Sequence, residues 1–500
     1  MKIKDFPKEI QEFLIPTRFS TGMFYRCLGC EREYDIYQLL YTCPACGQVL
    51  LIYDSNFGRY KKIPGELWRK IFDYRRMLNV PALRGVFRYY EFIAPIIPLE
   101  AIFYLGEGHT PMIEASALLQ NIVGQCFFFK NDGQNPSASF KDRGMASAFS
   151  YLKFLLLTKR LPSILAICAS TGDTSAAAAL YAAYLQPFVK SAVLLPQGKV
   201  TPQQLSQPLG SGARVFELPG VFDDCMKVVE ALSENYPVAL LNSKNAWRIL
   251  GQESYAYEIA QDFEYDLKNV VVILPIGNAG NITAIMSGFI KFFEAGVIKY
   301  LPKIIGVQSE HANPVYRYFS EPDPKKRRFE TVTVRPSVAQ AAMIGNPVSM
   351  PRVIYLEKIY SLLARETRVF FAQVPEQAIM DWQLLANRHG HIACTHGGEG
   401  LAGLIAAMEA GLISEEELPV IDSTAHALKF AGFQDMYFQN TFPSDFKITP
   451  VEKLSNRPTR IKPAGIKLPQ PGEPLSEEDM GIFIKNTSAA IADQLNLRPK

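Results

Sequence analysis

From about residue 125 to about residue 430 the chain alternates short apolar runs with Ala- and Leu-rich stretches of helical period. The runs lie at 164–169, 191–195, 270–274, 304–308 and 420–422, and the helical stretches near 174–186, 223–235, 248–263, 282–295 and 376–388. Apolar runs separated by helices of this length are joined by crossovers, so the pattern predicts an α/β body built on parallel sheets. The body is long enough for two such sheets with a cleft between them, a common seat for a ligand. A chain of 500 residues exceeds what one core organises, so further modules are expected around this body.

Composition narrows the function. Apolar residues make up 48% and charged residues 20%, the balance of an ordinary globular protein. A formal net charge of +3 argues against nucleic-acid and membrane-surface partners, and the basic run Lys325-Lys326-Arg327-Arg328 reads as a solvated loop. No apolar stretch is long enough to span a bilayer, and the first residues, with Lys2, Lys4, Asp5, Lys8 and Glu9, lack the apolar centre of a signal peptide. A cytoplasmic enzyme or binding protein is expected.

Four of the eight cysteines cluster as Cys27-x-x-Cys30 and Cys43-x-x-Cys46. Each pair forms a knuckle in which two thiolates converge, and two knuckles complete the tetrahedral shell of zinc. Residues 20–53 therefore read as a zinc ribbon, with Cys27, Cys30, Cys43 and Cys46 as ligands of a structural Zn2+. Glu31, Glu33 and Asp35 dilute the local positive charge, which favours a stabilising or docking module over a nucleic-acid reader. The expected division is a ribbon module over 1–60, a catalytic body over 61–444 and a Pro-rich arm over 445–500. In the last, Ser476 caps a terminal helix whose first turn carries Glu477, Glu478 and Asp479.

Within the body, Asn135-Pro136-Ser137-Ala138-Ser139-Phe140-Lys141-Asp142-Arg143-Gly144 is a tight turn leading into a helix. A lysine at a helix N-terminus opposes the local dipole, so Lys141 is either solvated or held for chemistry. Three further loops follow apolar runs: Ser170-Thr171-Gly172-Asp173-Thr174, Gly277-Asn278-Ala279-Gly280-Asn281 and Ser423-Thr424-Ala425-His426. Loops of this kind open onto helix N-termini and present backbone N–H groups to an anion, and Gly277 and Gly280 let a phosphate approach closely. None fits the dinucleotide or ATP fingerprints. Together, a lysine turn, a Gly/Asn phosphate loop and a Ser/Thr loop are the parts that hold pyridoxal 5′-phosphate (PLP).

The lysine turn resembles the Ser-Phe-Lys-Asp-Arg segment of the tryptophan-synthase-β-like PLP enzymes of fold type II, and within them it is most similar to the threonine synthases, particularly the plant-like branch. The resemblance covers roughly residues 105–432. It extends to Ser170 through Ser175, Gly277 through Asn281, Asn242-Ser243-x-Asn245-x-x-Arg248-x-x-Gly251-Gln252, Ile344-Gly345-Asn346-Pro347-Val348-Ser349, and Ser423-Thr424-Ala425-His426-x-Leu428-Lys429-Phe430. It implies two parallel-sheet domains with the cofactor in the cleft, conversion of O-phospho-L-homoserine to L-threonine, and a homodimer. By the same resemblance Lys141 forms the Schiff base and then acts as general acid and base. Gly277, Asn278, Ala279, Gly280 and Asn281 cradle the cofactor phosphate, Thr424 faces the pyridine nitrogen, and Asp173 lies near the 3′-oxygen. Ser170, Thr171 and Thr174 are assigned to the substrate carboxylate, and Arg248, Ser139 and Asn245 to the substrate phosphate.

Two positions depart from the family pattern. Ala138 stands where a glycine is usual in the turn, and Cys394-Thr395-His396-Gly397-Gly398 replaces Cys-Pro-His-Thr-Gly, a change expected to loosen the backbone. Cys394, His389, His391 and His396 are expected in a loop packed against the cofactor domain. Competing readings are another fold type II enzyme, such as cysteate synthase or threonine dehydratase, and a non-catalytic regulator that uses the ribbon for interaction.

Overall fold

The computed structural model describes the chain except residues 17–21, 162, 171, 198–201, 221, 471 and 499–500, with only the backbone described for 202–204, 222 and 223. The described chain divides into two compact units, Met1–Thr449 and Pro450–Lys500. Among the described residues no helix is long and apolar enough to cross a membrane.

The larger unit opens with a three-stranded antiparallel sheet in which β1 (Met23–Cys27) lies between β2 (Glu33–Asp35) and β3 (Leu50–Asp54). Next come β4 (Met112–Glu114) and β5 (Phe128–Lys130). A second sheet is formed by β6 (Ile164–Ala169), β7 (Val189–Pro196), β8 (Arg214–Leu218) and β9 (Val238–Leu240). Its order is β8-β7-β6-β9, all parallel. Strands β10 (Val270–Pro275), β11 (Lys303–Ser309), β12 (Val369–Val374) and β13 (Leu418–Asp422) join β4 and β5 in a third sheet, ordered β12-β11-β10-β13-β5-β4. It is parallel except at the β4 edge. Every residue of β10 is buried, as a strand covered by helices on both faces requires. The two parallel sheets expected from the alternation of runs and helices are therefore present.

Two expectations need correction. The helical stretch near 248–263 is two helices, Ala246–Gln252 and Ser254–Asp262, meeting at Glu253. The buried Glu253 carboxylate is engaged by Lys291 at 2.7 Å and Tyr257 at 2.9 Å. The segment after Cys394 is a helix, Thr395–Glu409, not a loop. Its glycines serve close packing and do not loosen the backbone. A Cβ at Gly398 would lie 2.4 Å from the Ile379 carbonyl, and one at Gly403 would lie 2.2 Å from Val307.

In the smaller unit the terminal helix spans Glu477–Gln494, and Ser476 Oγ caps it by accepting from the Asp479 N–H at 3.1 Å.

Candidate active site

Lys141 is the first residue of the helix Lys141–Leu157, and the turn before it is stitched to the segment after β13. Phe140 N–H donates to the Thr424 carbonyl at 2.8 Å, and His426 N–H to the Ala138 carbonyl at 3.0 Å. Ser137 N–H donates to Asp142 at 2.7 Å. Ala138 has φ 63°, so the left-handed conformation that a glycine would take freely is kept here at a cost in strain. Lys141 Nζ lies 4.0 Å from the Phe140 ring centre and makes no hydrogen bond or ion pair among the described residues. Burial, then the nearby positive charge of Arg248, lowers the Lys141 amine to a pKa of about 7. A neutral amine is therefore accessible at physiological pH.

Arg143, two residues on, anchors the turn. Its guanidinium contacts Asp132 at 2.7 and 2.8 Å, Glu258 at 2.8 and 2.9 Å, and Thr110 Oγ1 at 3.0 Å. Lys130 Nζ completes the network, 3.3 Å from Glu258 and 2.7 Å from Asp262. Burial alone would raise the Glu258 carboxyl, but the charges of Arg143 and Lys130 hold it well below the usual carboxylate range. Sequence reasoning missed this network, because its members lie 11 to 132 residues apart.

The Gly277 to Asn281 loop links β10 to the helix Gly280–Glu294. Ala279 takes φ 61°, and a Cβ on Gly277 would lie 3.0 Å from Ala342 Cα. Asn278 accepts backbone N–H groups from Ser349 at 3.1 Å and Val348 at 3.4 Å. Asn281 donates to Asp422 at 2.8 Å, while its own Oδ1 is buried without a hydrogen bond. Thr424 is buried two residues beyond Asp422.

On the other sheet, Ser170 Oγ accepts from Gly172 N–H at 3.3 Å, and Asp173 and Thr174 open the helix Asp173–Tyr184. Thr171 lies outside the described residues. A carboxylate at Asp173 would repel an ionised oxygen beside it, and here a cation answers it: Lys429 Nζ lies 3.2 Å from Asp173 Oδ1. The same ammonium donates to the Ser137 carbonyl at 2.8 Å and to Gln207 at 2.9 Å. Lys429 thus ties the lysine turn to two helices, Asp173–Tyr184 and Pro202–Gly210. The sequence displays Lys429 in its motif, but nothing there signals this role. A cavity of about 490 Å³ adjoins the site at Lys429, walled by Ser337, Gln340, Met343, Phe430 and Phe433.

Asn245 and Arg248 lie on one short helix but differ in availability. The Asn245 side chain caps the helix Ala246–Gln252 through Trp247 N–H at 2.9 Å and donates to the Leu240 carbonyl at 2.9 Å, so both ends of its amide are used locally. Arg248 is 3% exposed and donates from Nη1 to the Leu241 carbonyl at 2.9 Å, while Nε has no partner. None of the ion pairs among the described residues includes it. The sequence-near acids Glu253 and Glu258 are engaged by Lys291 and by Arg143. Burial lowers its guanidinium to a pKa of about 10. Ser139 is also buried, with its Oγ unpartnered. The Arg248 helix crosses the Lys141 helix so closely that a Cβ on Gly251 would lie 2.0 Å from the Arg143 carbonyl.

Away from this cleft, the thiols of Cys27, Cys30, Cys43 and Cys46 gather within 4.8 Å of one another. Cys27 Sγ accepts the Gly29 and Cys30 N–H groups at 3.2 and 3.4 Å. Cys394, by contrast, is buried at the start of its helix, 3.7 Å from His396 Nδ1.

The model of the family described as "Pyridoxal-phosphate dependent enzyme" matches residues 103–421. Among curated relatives, threonine synthase of Methanocaldococcus jannaschii is 34% identical over 410 residues, covering 81% of this chain and 93% of the relative. "Threonine synthase 2, chloroplastic" of Arabidopsis thaliana is 31% identical over 432 residues, covering 86% and 80%. The solved structure of threonine synthase from Escherichia coli matches with a TM-score of 0.60 at 20% identity, over 82% of this chain and 90% of that one. The structural likeness carries the fold, and the sequence identities carry the family. The chain belongs to the PLP-dependent enzymes and, among them, to the threonine synthase family.

Proposed function

We propose that this protein converts O-phospho-L-homoserine and water to L-threonine and phosphate. The observation that carries the reading is Arg248: a buried guanidinium without a carboxylate partner among the described residues, on a helix locked against the one that begins at Lys141. A buried cation lacking a counter-ion is a seat for an anion, and a guanidinium suits phosphate.

The residues also fit PLP. Lys141 offers an amine with no hydrogen bond or ion pair among the described residues, the Gly280–Glu294 helix opens with N–H groups that its own turns leave unpaired, and buried Asn281 Oδ1 and Ser139 Oγ await partners. Lys141 would hold the group covalently, Gly277 to Asn281 its phosphate, Thr424 its ring nitrogen, and Asp173 with Lys429 the region of its 3′-oxygen. Bound PLP supplies an electron sink that stabilises negative charge at the substrate Cα. Arg248, with Ser139, binds the substrate phosphate. Ser170 and Thr174 meet the carboxylate at the N-terminus of the Asp173–Tyr184 helix, with Thr171, assigned from the sequence, as a third hydroxyl. Asn245 acts by capping and so aiming the Arg248 helix. Lys141 Nζ would take the substrate Cα proton and then a Cβ proton as the Cγ–O bond to phosphate breaks, return one proton to Cγ, take one from water as its oxygen adds at Cβ, and return one to Cα, the remaining proton leaving with phosphate.

For the ribbon we propose Zn2+ held by Cys27, Cys30, Cys43 and Cys46, supported by the convergence of four thiols with no open position. A cytoplasmic location and a homodimer complete the reading, the latter checked by light scattering.

The test is to incubate the purified protein with O-phosphohomoserine, O-phosphoserine or threonine and to assay phosphate, threonine and 2-oxobutyrate. Threonine must form in step with phosphate from the first substrate alone. Lys141→Ala must abolish both threonine formation and the visible absorbance of bound cofactor. Release of 2-oxobutyrate from threonine, or phosphate from O-phosphoserine, would transfer the assignment to a competing enzyme of the same fold.

A further inference from the structure

The four-cysteine module takes no part in the chemistry above, yet it touches the elements that carry it. We propose that the module is a positioning device for the substrate-anion site, acting on Arg248 through Tyr25, Trp247 and Arg352. The inference rests on the assignment of Arg248 to an anion.

Two links run from the module to the Arg248 helix. The first starts on β1, where the buried Tyr25 hydroxyl accepts the Trp247 indole N–H at 2.7 Å. Trp247 immediately precedes Arg248, and its ring stacks on Tyr151 with centres 3.9 Å apart. Tyr151 lies on the Lys141 helix and returns to the module, donating from its hydroxyl to the Ile36 carbonyl at 2.7 Å. The indole is thus held between the module and the helix that carries the lysine.

The second link is Arg352, on the helix Met350–Ala364. Its fully buried guanidinium donates twice to the Leu50 carbonyl, at 3.0 and 2.7 Å. It also donates to the carbonyls of Ser243 at 3.0 Å and Lys244 at 2.9 Å, and to Ser349 Oγ at 3.1 Å. All these partners are neutral, so this cation clamps β3 of the module to the 242–245 loop that ends in the Asn245 cap. Leu50 is the register partner of Cys27 across β1 and β3. A metal that fixes Cys27 therefore fixes the strand pair whose carbonyl Arg352 grips. The order from thiolate to substrate is Cys27, Leu50, Arg352, the 243–244 backbone, then Arg248. The Tyr25 link does not touch the Gly277 to Asn281 loop, so cofactor binding is expected to survive when that link is cut; Arg352 reaches the loop through Ser349, whose N–H donates to the Asn278 carbonyl at 3.1 Å.

The experiment uses the full-length holoenzyme with inorganic phosphate as the probe, measured by calorimetry, alongside KM and kcat for O-phosphohomoserine. Tyr25→Phe deletes one hydrogen bond and keeps the ring. It should weaken phosphate binding and raise KM by about threefold to tenfold, with kcat within about twofold and cofactor absorbance unchanged. Removing the metal with a chelator loosens the strand pair and should give the same split with a larger effect, and Arg352→Lys, which keeps the charge but loses the fork, should weaken phosphate binding at least as much. Unchanged phosphate affinity in Tyr25→Phe and in the metal-stripped protein would overturn the proposal, whatever happens to thermal stability. Failure of the unaltered holoenzyme to bind phosphate would instead remove the assignment of Arg248, and the inference with it.

Discussion

Replacing Arg248 with methionine separates a binding role from a structural one, because the two predict different changes in stability. Burial lowers the guanidinium from 12.5 to about 10, and each pKa unit corresponds to about 1.4 kcal/mol, so holding the charged form costs the fold about 3 kcal/mol. The single charge-assisted hydrogen bond to the Leu241 carbonyl returns about 1.5–3 kcal/mol. Arg248→Met should therefore leave the protein as stable as before or more stable by up to about 1.5 kcal/mol in phosphate-free buffer, read from urea unfolding. Adding phosphate should stabilise the unaltered protein and leave the variant unmoved. Catalysis should go the other way. Losing two charge-assisted bonds to the substrate phosphate, about 1.5–3 kcal/mol each, lowers kcat/KM by about 10²- to 10⁴-fold. A variant that unfolds at lower urea in the absence of phosphate, or that phosphate still stabilises fully, would refute the reasoning and make Arg248 a structural residue.

Two further outcomes follow from the lysine turn. Uptake of PLP by the apoenzyme requires the neutral amine of Lys141, so its rate should rise with pH through a midpoint near 7; the midpoint should move upward in Arg248→Met, where one of the charges depressing it is gone. A rate that is flat from pH 6 to 8 would contradict this. Ala138→Gly should relieve about 1 kcal/mol of left-handed strain and lose about 0.7 kcal/mol to unfolded-chain entropy, leaving urea stability within about 0.5 kcal/mol. Ala138→Val, β-branched at the same positive φ, should lose about 2 kcal/mol or more by the same assay.

Much of the architecture was legible because it rests on local pattern. Apolar runs such as 270–274 announce a buried strand by themselves, and Ser476 with three following acids announces a helix start. The lysine turn, the glycine loop and the paired cysteines were visible as spacing, and the structure brings the four thiols together. What escaped depends on pairings between distant residues. Lys429 stands in plain view in the sequence, but its meaning lies in Asp173, 256 positions away, and in Gln207, 222 away. Arg143 likewise takes its role from Asp132 and Glu258, which no periodicity connects. Arg248 forms no ion pair among the described residues, because the acids nearest it in sequence, Glu253 and Glu258, have other partners. Gly397 and Gly398 misled for a different reason: a glycine that admits a neighbouring helix looks the same in sequence as one that frees a loop.

The crossing of the Lys141 and Arg248 helices at Gly144 and Gly251 bears on substrate length. With backbone in contact at this point, neither helix slides or turns without carrying the other. The span from amine to guanidinium is then set by two helix registers and is not adjusted to each ligand in turn. An amino acid whose phosphate sits one methylene closer to Cα leaves one end short of its partner. A pair of missing side chains thus acts as a ruler for the molecule held between them.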